Sequence, residues 1–400
     1  MTNEATKNRL AGADGLRAIA CLLVVWHHTA QKLNPGGVSP FVETLHFLGM
    51  RGEVGVSLFF VLSGCLLSLP FWRAFVEKRE FPSLRKYASN RAARIAPAFW
   101  LNLIVVNVLA VSLFSLDFNW QKFSTAFLFV NSYHYSTFFP SELNGALWSI
   151  GLEVSCYVLL PIVLFLIFKV ARTNAQALVG ISAAIVLLQI LNPLVIELFM
   201  TDSYQKGWEF GMDGGAKLWL PYWNIGSFFT QFLLGSLAAL VVIMLKNRKV
   251  QPGLFFDFGF VALAVSAIWL VASRMTPGVP DPLTQQPYVS PLFALLMSAA
   301  LICASQSVVI ARLLDNRLFT WLAKLSFGIY LWHMVVIEII WRKYVPEFVY
   351  GGMTDIASWV GLSASVLIVS VVIAAASWKW LESPILDAVH RTNSSKSSII

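Results

Sequence analysis

Residues 55–72 read GVSLFFVLSGCLLSLPFW, a run of eighteen residues that contains no charged side chain. At a helical rise of about 1.5 Å per residue, such a run nearly spans the ~30 Å hydrocarbon core of a bilayer. Comparable runs recur near 15–33, 95–116, 147–168, 177–199, 224–245, 254–273, 290–310, 318–341 and 355–381. We therefore predict an all-α integral membrane protein, a bundle of about ten transmembrane helices.

The composition of the 400-residue chain excludes a water-exposed globule. Hydrophobic residues make up 57% of the chain and charged residues only 12%, whereas soluble domains carry about 25% charged residues. The aromatic content of 14% also excludes intrinsic disorder of the chain as a whole. The four cysteines lie inside apolar runs, so we interpret them as packing residues rather than disulfide partners.

The distribution of positive charge predicts a membrane topology rather than nucleic-acid binding. The net charge is +8, but Lys and Arg cluster in alternate connections between the apolar runs. The positive-inside rule then places both termini in the cytoplasm. We expect a cytoplasmic segment over 1–13 with no cleavable signal peptide, a membrane domain over 14–384 with no appended soluble domain, and a disordered cytoplasmic tail over 385–400.

Ionisable side chains inside the first apolar run are candidates for function, because a charge within the bilayer requires a partner or a wet cavity. The stretch DGLRAIACLLVVWHH begins at Asp14 and carries Arg17 and His28 eleven residues apart. On one helix these two lie about 20° out of phase and ~16 Å apart along the axis, while His27 points about 100° away from His28. Alternatively, Arg17 is a topological anchor and both histidines make only interhelical hydrogen bonds.

A pair of arginines lies where the chain enters the third predicted span. The stretch RAARIAPAFW places Arg91 and Arg94 three residues apart, on one face of a helix end. Guanidinium groups present planar donor forks that suit phosphate oxygens, so the pair predicts a phosphate-binding site. Positive-inside topology alone would also produce such a pair.

His28 and two further polar residues fall inside different apolar runs at similar predicted depths. Counted from the outer boundary, Glu153 in LWSIGLEVSCYVLLP lies ~9 Å deep, His28 ~7 Å, and His333 in LSFGIYLWH ~12 Å. Carboxylate and imidazole at one depth favour general-base chemistry, so we predict that all three line one cavity in the outer half of the membrane. The alternative is three separately satisfied polar groups.

Two other features have more than one interpretation. Ser63, followed by a glycine, is a candidate nucleophile, although Ser-Gly pairs in membrane helices more often allow close packing. The aromatic segments 117–146 and 200–223 form either an interfacial belt or sugar-stacking platforms.

Taken in order, the motifs of this chain resemble those of the acyltransferase family 3 membrane proteins, bacterial enzymes that O-acylate surface glycans and related molecules. The resemblance covers about 14–384 and includes DGLRAIACLLVVWHH, GVSLFFVLSGCLL, RAARIAPAFW, LWSIGLEVSCYVLLP, LSFGIYLWH and LESP. It places the family's Arg and His on Arg17 and His28, and its R-x-x-R on Arg91 and Arg94. The Glu of its W-S-x-x-x-E signature falls on Glu153.

The resemblance implies transfer of an acyl group, by default acetyl, from cytoplasmic acyl-CoA to a hydroxyl of a carbohydrate or glycolipid at the outer side of the bacterial inner membrane. It implies catalysis by His28, Glu153 and Arg17 without a metal, with His28 as general base or acyl carrier. Donor phosphates would be held by Arg17, Arg91 and Arg94.

We place Asp14, His333 and Ser63 in the same pocket, and bilayer lipid around the bundle. The competing interpretation is a proton-coupled secondary transporter or flippase, in which the buried Arg, His and Glu form a proton relay.

Overall fold

The helices of the bundle follow the apolar runs of the sequence. The computed structural model describes residues 10–36, 39–200, 203–344 and 352–395. The elements are α1 (Ala13–Ala30), α2 (Pro40–Met50), α3 (Val54–Val76), α4 (Leu84–Phe114), α5 (Trp120–Phe127), α6 (Tyr135–Phe138), α7 (Trp148–Val170), α8 (Asn174–Leu198), α9 (Gly211–Trp219), α10 (Ile225–Asn247), α11 (Leu254–Arg274), α12 (Leu292–Gln306), α13 (Ile310–Leu314), α14 (Arg317–Tyr344), α15 (Ile356–Ser377) and α16 (Ser383–Ser395). The described ranges contain no β-strand beyond an isolated bridge between Leu33 and Met353. The prediction of an all-α fold is confirmed.

Within the described residues, nine helical segments are long and apolar enough to cross a membrane. They coincide with nine of the predicted runs, so the chain is a multi-pass membrane protein. The tenth run is α1, whose 18 residues span about 27 Å. Because of its polar residues, α1 is not among the nine, and it packs between α3 and α14 inside the protein. The orientation with both termini in the cytoplasm stays a prediction.

Close packing of α3 against α10 forms the centre of the bundle. A Cβ atom on Gly64 would lie 1.9 Å from the carbonyl oxygen of Phe232, and a Cβ on Gly235 would lie 1.9 Å from that of Val61. Only glycine permits the two backbones to approach this closely. This contact fixes the position of α3 and therefore of Ser63, which precedes Gly64.

The segment before α7 folds into the bundle instead of running over its surface. Asn131, Phe138 and Asn144 are fully buried there. The Asn144 side-chain amide donates to Asn102 Oδ1 at 3.0 Å and to the Leu331 carbonyl at 2.9 Å. As a result, α7 begins well inside the protein.

The C-terminal tail is ordered, in contrast to our prediction. Residues 383–395 form the helix α16, which packs against the start of α4. The Asn393 side chain donates hydrogen bonds to Ser89 Oγ at 3.1 Å and to Asn90 Oδ1 at 3.2 Å. The prediction of disorder is therefore wrong up to Ser395, because these tertiary contacts stabilise a polar segment that composition alone describes as a free tail. Segments 1–9 and 396–400 lie outside the described residues.

Candidate active site

The first cavity of interest, the arginine cavity, has a volume of about 270 Å³ and lies among α1, α3, α4, α7 and α14. Its polar lining consists of Arg17, Ser63, Arg91, Arg94, Ser149, Glu153, Tyr157, Ser326 and Tyr330. The structure thus brings together all three predicted phosphate-binding arginines with Glu153 and Ser63.

Glu153 is held in place by two hydroxyl groups. Its Oε1 accepts a hydrogen bond from Ser63 Oγ at 3.0 Å and another from the Tyr157 hydroxyl one helical turn later. The Ser63 hydroxyl therefore donates a hydrogen bond to Glu153 and holds that carboxylate in position. Sequence reasoning missed Tyr157, although its i+4 spacing from Glu153 on α7 is a signal that could have identified it.

The three arginines of this cavity differ in their partners. Arg94 Nη1 forms a 2.9 Å salt bridge with Glu382, a residue that is 2% exposed, and its Nη2 donates to the Lys324 carbonyl at 3.2 Å. The Arg94 charge is therefore neutralised within the protein, which reduces its value as a phosphate ligand. Arg17 and Arg91 have no hydrogen-bond or ion-pair partner among the described residues.

A second cavity, the histidine cavity, lies at the other end of α1 and has a volume of about 350 Å³. It is lined by His27, His28, Gln31, Met50, Glu53, Phe139, Gly145, Ala146, Trp148, Trp208, Met212, Trp219, Pro277, Gly278 and Met334. Its polar groups are thus two imidazoles, one amide and one carboxylate, set among aromatic side chains. Over the described residues, no three His, Cys, Asp or Glu side chains form a group that could hold a metal ion.

Hydrogen bonds assign the tautomer of His28. His333 is fully buried, and its Nδ1 lies 2.7 Å from the Tyr330 carbonyl, which can only accept. His333 Nδ1 therefore carries the hydrogen, which leaves Nε2 of the neutral ring as an acceptor.

That acceptor lies 2.9 Å from Nδ1 of His28, and the same His28 nitrogen lies 3.0 Å from the Val24 carbonyl. His28 Nδ1 thus carries a hydrogen that both acceptors share. In the neutral ring the lone pair is then on Nε2, which has no hydrogen-bond partner among the residues the structure describes. This is the tautomer that a general base requires.

A thin polar layer separates the two cavities. The Tyr330 hydroxyl donates to the Ala146 carbonyl at 2.9 Å and lies 2.6 Å from Ser149 Oγ. Tyr330 and Ser149 line the arginine cavity, whereas Ala146 lines the histidine cavity. Sequence reasoning did not identify Tyr330, which lies three residues before His333 and contacts its ring at a centroid distance of 5.8 Å.

The predicted grouping of His28, Glu153 and His333 in one cavity is wrong for Glu153 and for His333, which lines neither of the two cavities. His28 and His333 are in contact, but Glu153 lines the arginine cavity. The depth estimate placed the start of α7 at the outer membrane boundary. Because the preceding segment dips into the bundle, α7 begins deeper and carries Glu153 towards Arg17.

Asp14 does not belong to either cavity. It lines a separate cavity with Arg73, together with Leu10, Ala13, Leu66, Leu69 and Pro70. Asp14 lies in the first turn of α1, three residues before Arg17, and lines this separate cavity rather than the arginine cavity. The predicted role of Asp14 in the pocket is therefore not supported by its position.

The aromatic residues of segments 117–146 and 200–223 fall into two groups, one typical of an interfacial belt and one that lines a cavity. Trp120 and Tyr133 are 74% and 41% exposed, as expected for residues of an interfacial belt. Trp208 and Trp219 instead line the histidine cavity beside Trp148. These tryptophans and Glu53 line the cavity, but the spacing of residues in the sequence does not predict that they do.

Comparison with known proteins identifies the family. A family model described as an acyltransferase domain matches residues 10–375. A Staphylococcus aureus (strain COL) protein named as an O-acetyltransferase is 22% identical over 94% of this chain and 57% of its own length. The acyltransferase MdmB of Streptomyces mycarofaciens is 25% identical over 96% of this chain and 93% of its own length.

A Bacillus subtilis protein, YrhL, named as a peptidoglycan O-acetyltransferase, is 25% identical over 82% of this chain and 49% of its own length. The chain thus spans little more than half the length of the staphylococcal relative and half that of YrhL. The family match covers nearly the whole chain and includes both cavities. We conclude that the chain belongs to acyltransferase family 3.

Proposed function

We propose that the chain is a membrane O-acyltransferase that moves an acyl group, by default acetyl, from cytoplasmic acyl-CoA to a hydroxyl of a surface or exported glycan or glycolipid. The observation that carries the proposal is the pair of cavities at the two ends of α1. One offers two arginines without a hydrogen-bond or ion-pair partner among the described residues, and the other offers an imidazole with a free Nε2 lone pair. Names of relatives that specify O-acetylation support the same chemistry.

The arginine cavity is the proposed donor site. An acyl-CoA carries several phosphate charges, and Arg17 and Arg91 supply positive charge that is not bound in an ion pair among the described residues, although Glu153 in the same cavity attracts Arg17. Arg94 supports this site by holding α4 against the Trp378–Glu382 turn, which joins α15 to α16, through Glu382. With the N-terminus in the cytoplasm, the cavity is reached from the side where acyl-CoA is made.

The histidine cavity is the proposed acceptor site. His28 Nε2 takes the proton of the acceptor hydroxyl as the oxygen attacks the thioester carbonyl. The carbon–oxygen bond of the new ester forms, the carbon–sulfur bond breaks, and the imidazolium returns the proton to the departing thiolate. Alternatively, Nε2 attacks the thioester first: the carbon–nitrogen bond of an acyl-imidazole forms as the carbon–sulfur bond breaks and the thiolate departs. The hydroxyl oxygen then attacks the acyl carbon, the carbon–nitrogen bond breaks, and the hydroxyl proton passes through the regenerated Nε2 to the thiolate.

Both routes require the acyl group to pass the layer formed by Tyr330 and Ser149. Tyr330 lines the arginine cavity and donates to Ala146, which lines the histidine cavity, so displacement of the Tyr330 and Ser149 side chains is the step that would connect the two cavities. Glu153 faces the donor side of the layer, where it interacts with the CoA arm rather than with the acceptor. We place the protein in the bacterial inner membrane, with its outward apolar side chains in contact with lipid.

Mass spectrometry of surface glycans tests the proposal. Cells that lack the gene would be complemented with the wild type, His28→Ala or His46→Ala. His46 lies on α2 and lines neither cavity, so it is a matched control. We expect O-acyl groups with the wild type and with His46→Ala but none with His28→Ala. Full acylation by His28→Ala would refute the role of His28, and unchanged glycans without the gene would refute the proposed function.

A further inference from the structure

Glu53 is a buried carboxylate with one oxygen that the protein leaves open. It ends the short 3-10 turn Arg51–Glu53 between α2 and α3, and its side chain is only 6% exposed. Oε1 accepts a hydrogen bond from the Gly278 backbone N–H at 2.8 Å. Oε2 has no hydrogen-bond donor among the described residues, and His27 Nε2 lies 3.9 Å from it.

The hydrogen bonds of His27 show that it does not supply this donor. His27 Nδ1 lies 2.8 Å from the Met50 carbonyl, so Nδ1 carries the hydrogen. His27 Nε2 then accepts from the Gln31 side-chain amide at 3.1 Å. In this arrangement Nε2 has no hydrogen to give to Glu53. Glu53 lines the histidine cavity, so a hydrogen-bond donor on a molecule that enters the cavity can reach this oxygen.

The walls next to Glu53 indicate the chemistry of that molecule. The Trp208 and Trp219 rings are perpendicular, with centroids 5.3 Å apart. Trp148 is also nearly perpendicular to Trp219, with centroids 6.3 Å apart. Large aromatic surfaces with few fixed polar groups are typical of sites that orient a small ligand. A sugar ring offers both apolar C–H faces for the tryptophans and hydroxyl donors for the carboxylate.

We propose that Glu53 is an acceptor-binding residue, whose Oε2 accepts a hydrogen bond from a second hydroxyl of the sugar residue that His28 deprotonates. The inference rests on the proposed function and adds a residue that binds the acceptor. The acceptor unit is a sugar with at least two free hydroxyls, one at His28 and one at Glu53. His27 contacts both groups, with its Nε2 3.9 Å from Glu53 and its ring centroid 5.0 Å from that of His28, and all three residues line the histidine cavity.

The test measures transfer from radiolabelled acetyl-CoA to glycan extracted from cells that lack the gene, using membranes that contain each variant. Loss of a hydrogen bond to a charged group corresponds to about a ten- to hundred-fold change in affinity. Glu53→Ala should therefore raise the KM for glycan at least ten-fold, and Glu53→Gln by less, because an amide oxygen can still accept. The KM for acetyl-CoA should change less than two-fold in both.

Glu142→Gln is the matched control, since Glu142 is an exposed carboxylate outside the cavity, and its kinetics should equal those of the wild type. An unchanged glycan KM in Glu53→Ala, or an equal rise for acetyl-CoA, would overturn the proposal. Equal losses in Glu53→Gln and Glu53→Ala would also overturn it, in favour of an ammonium ligand that needs the charge. Absence of transfer by the wild type would count against the proposed function instead, so the two failures are distinguishable.

Discussion

Replacement of His333 tests whether hydrogen bonding sets the tautomer of His28. His333→Ala removes one of two acceptors for the Nδ1 hydrogen of His28 and leaves the Val24 carbonyl at 3.0 Å. A hydrogen bond between neutral groups contributes about 0.5–1.5 kcal/mol. Because Val24 still holds the hydrogen, we expect kcat to fall about two- to thirteen-fold.

Loss of the base itself is expected to be much larger. General-base catalysis contributes about 10²–10⁴-fold, which sets the expected loss for His28→Ala. His333→Gln should recover most of the activity lost in His333→Ala, because its amide oxygen can replace Nε2 as the acceptor. The KM values for donor and acceptor should stay unchanged, since His333 lines neither cavity.

The assay is transfer of radiolabelled acetyl groups to extracted glycan, normalised to the amount of membrane-inserted protein, with His46→Ala as the control. A loss in His333→Ala as large as that in His28→Ala would contradict the reasoning. So would wild-type kcat in His333→Ala, or a loss expressed only in KM.

Three further predictions concern the donor side. Arg91→Ala should raise the KM for acetyl-CoA about ten-fold or more, whereas the exposed Arg85→Ala should leave it unchanged in the same kinetic assay. Glu382→Gln should lower the melting temperature of the detergent-solubilised protein, because breaking the buried ion pair between Glu382 and Arg94 costs about 3–5 kcal/mol. An unchanged melting temperature would contradict the claim that this ion pair occupies Arg94. Tyr330→Phe removes the hydroxyl group from the layer between the cavities. Hydrolysis of acetyl-CoA in the absence of acceptor, measured as release of the CoA thiol, should therefore increase a few-fold. No increase would mean that the layer does not exclude water.

The sequence predicted the helices well because lipid imposes one requirement on every span. Backbone groups in hydrocarbon must be satisfied within the segment, so each long apolar run forms a helix. The helical phase of Arg17 and His28 was also sufficient to predict that α1 carries two different functional groups ~16 Å apart. The structure places these groups in two cavities, which phase and rise alone do not reveal.

The depth of Glu153 and the partner of Arg94 could not be predicted from the sequence in the same way. The depth of Glu153 depends on how far the buried segment around Asn131 and Asn144 enters the bundle, and such entry has no periodic signal. Arg94 pairs with Glu382 across 288 residues, so the motif spacing around Arg94 gives no information about its partner. Glu53 likewise becomes significant only when the Gly278 backbone and the tryptophan walls are placed beside it.

Sidedness of the reaction tests the central claim, that the acyl group passes from the arginine cavity to the histidine cavity. Unacetylated glycan would be sealed inside proteoliposomes, and radiolabelled acetyl-CoA would be added only outside. Protein molecules whose arginine cavity faces outward should label the enclosed glycan, and His28→Ala in the same orientation should not. Labelling only when donor and acceptor share one compartment would contradict transfer between the two cavities.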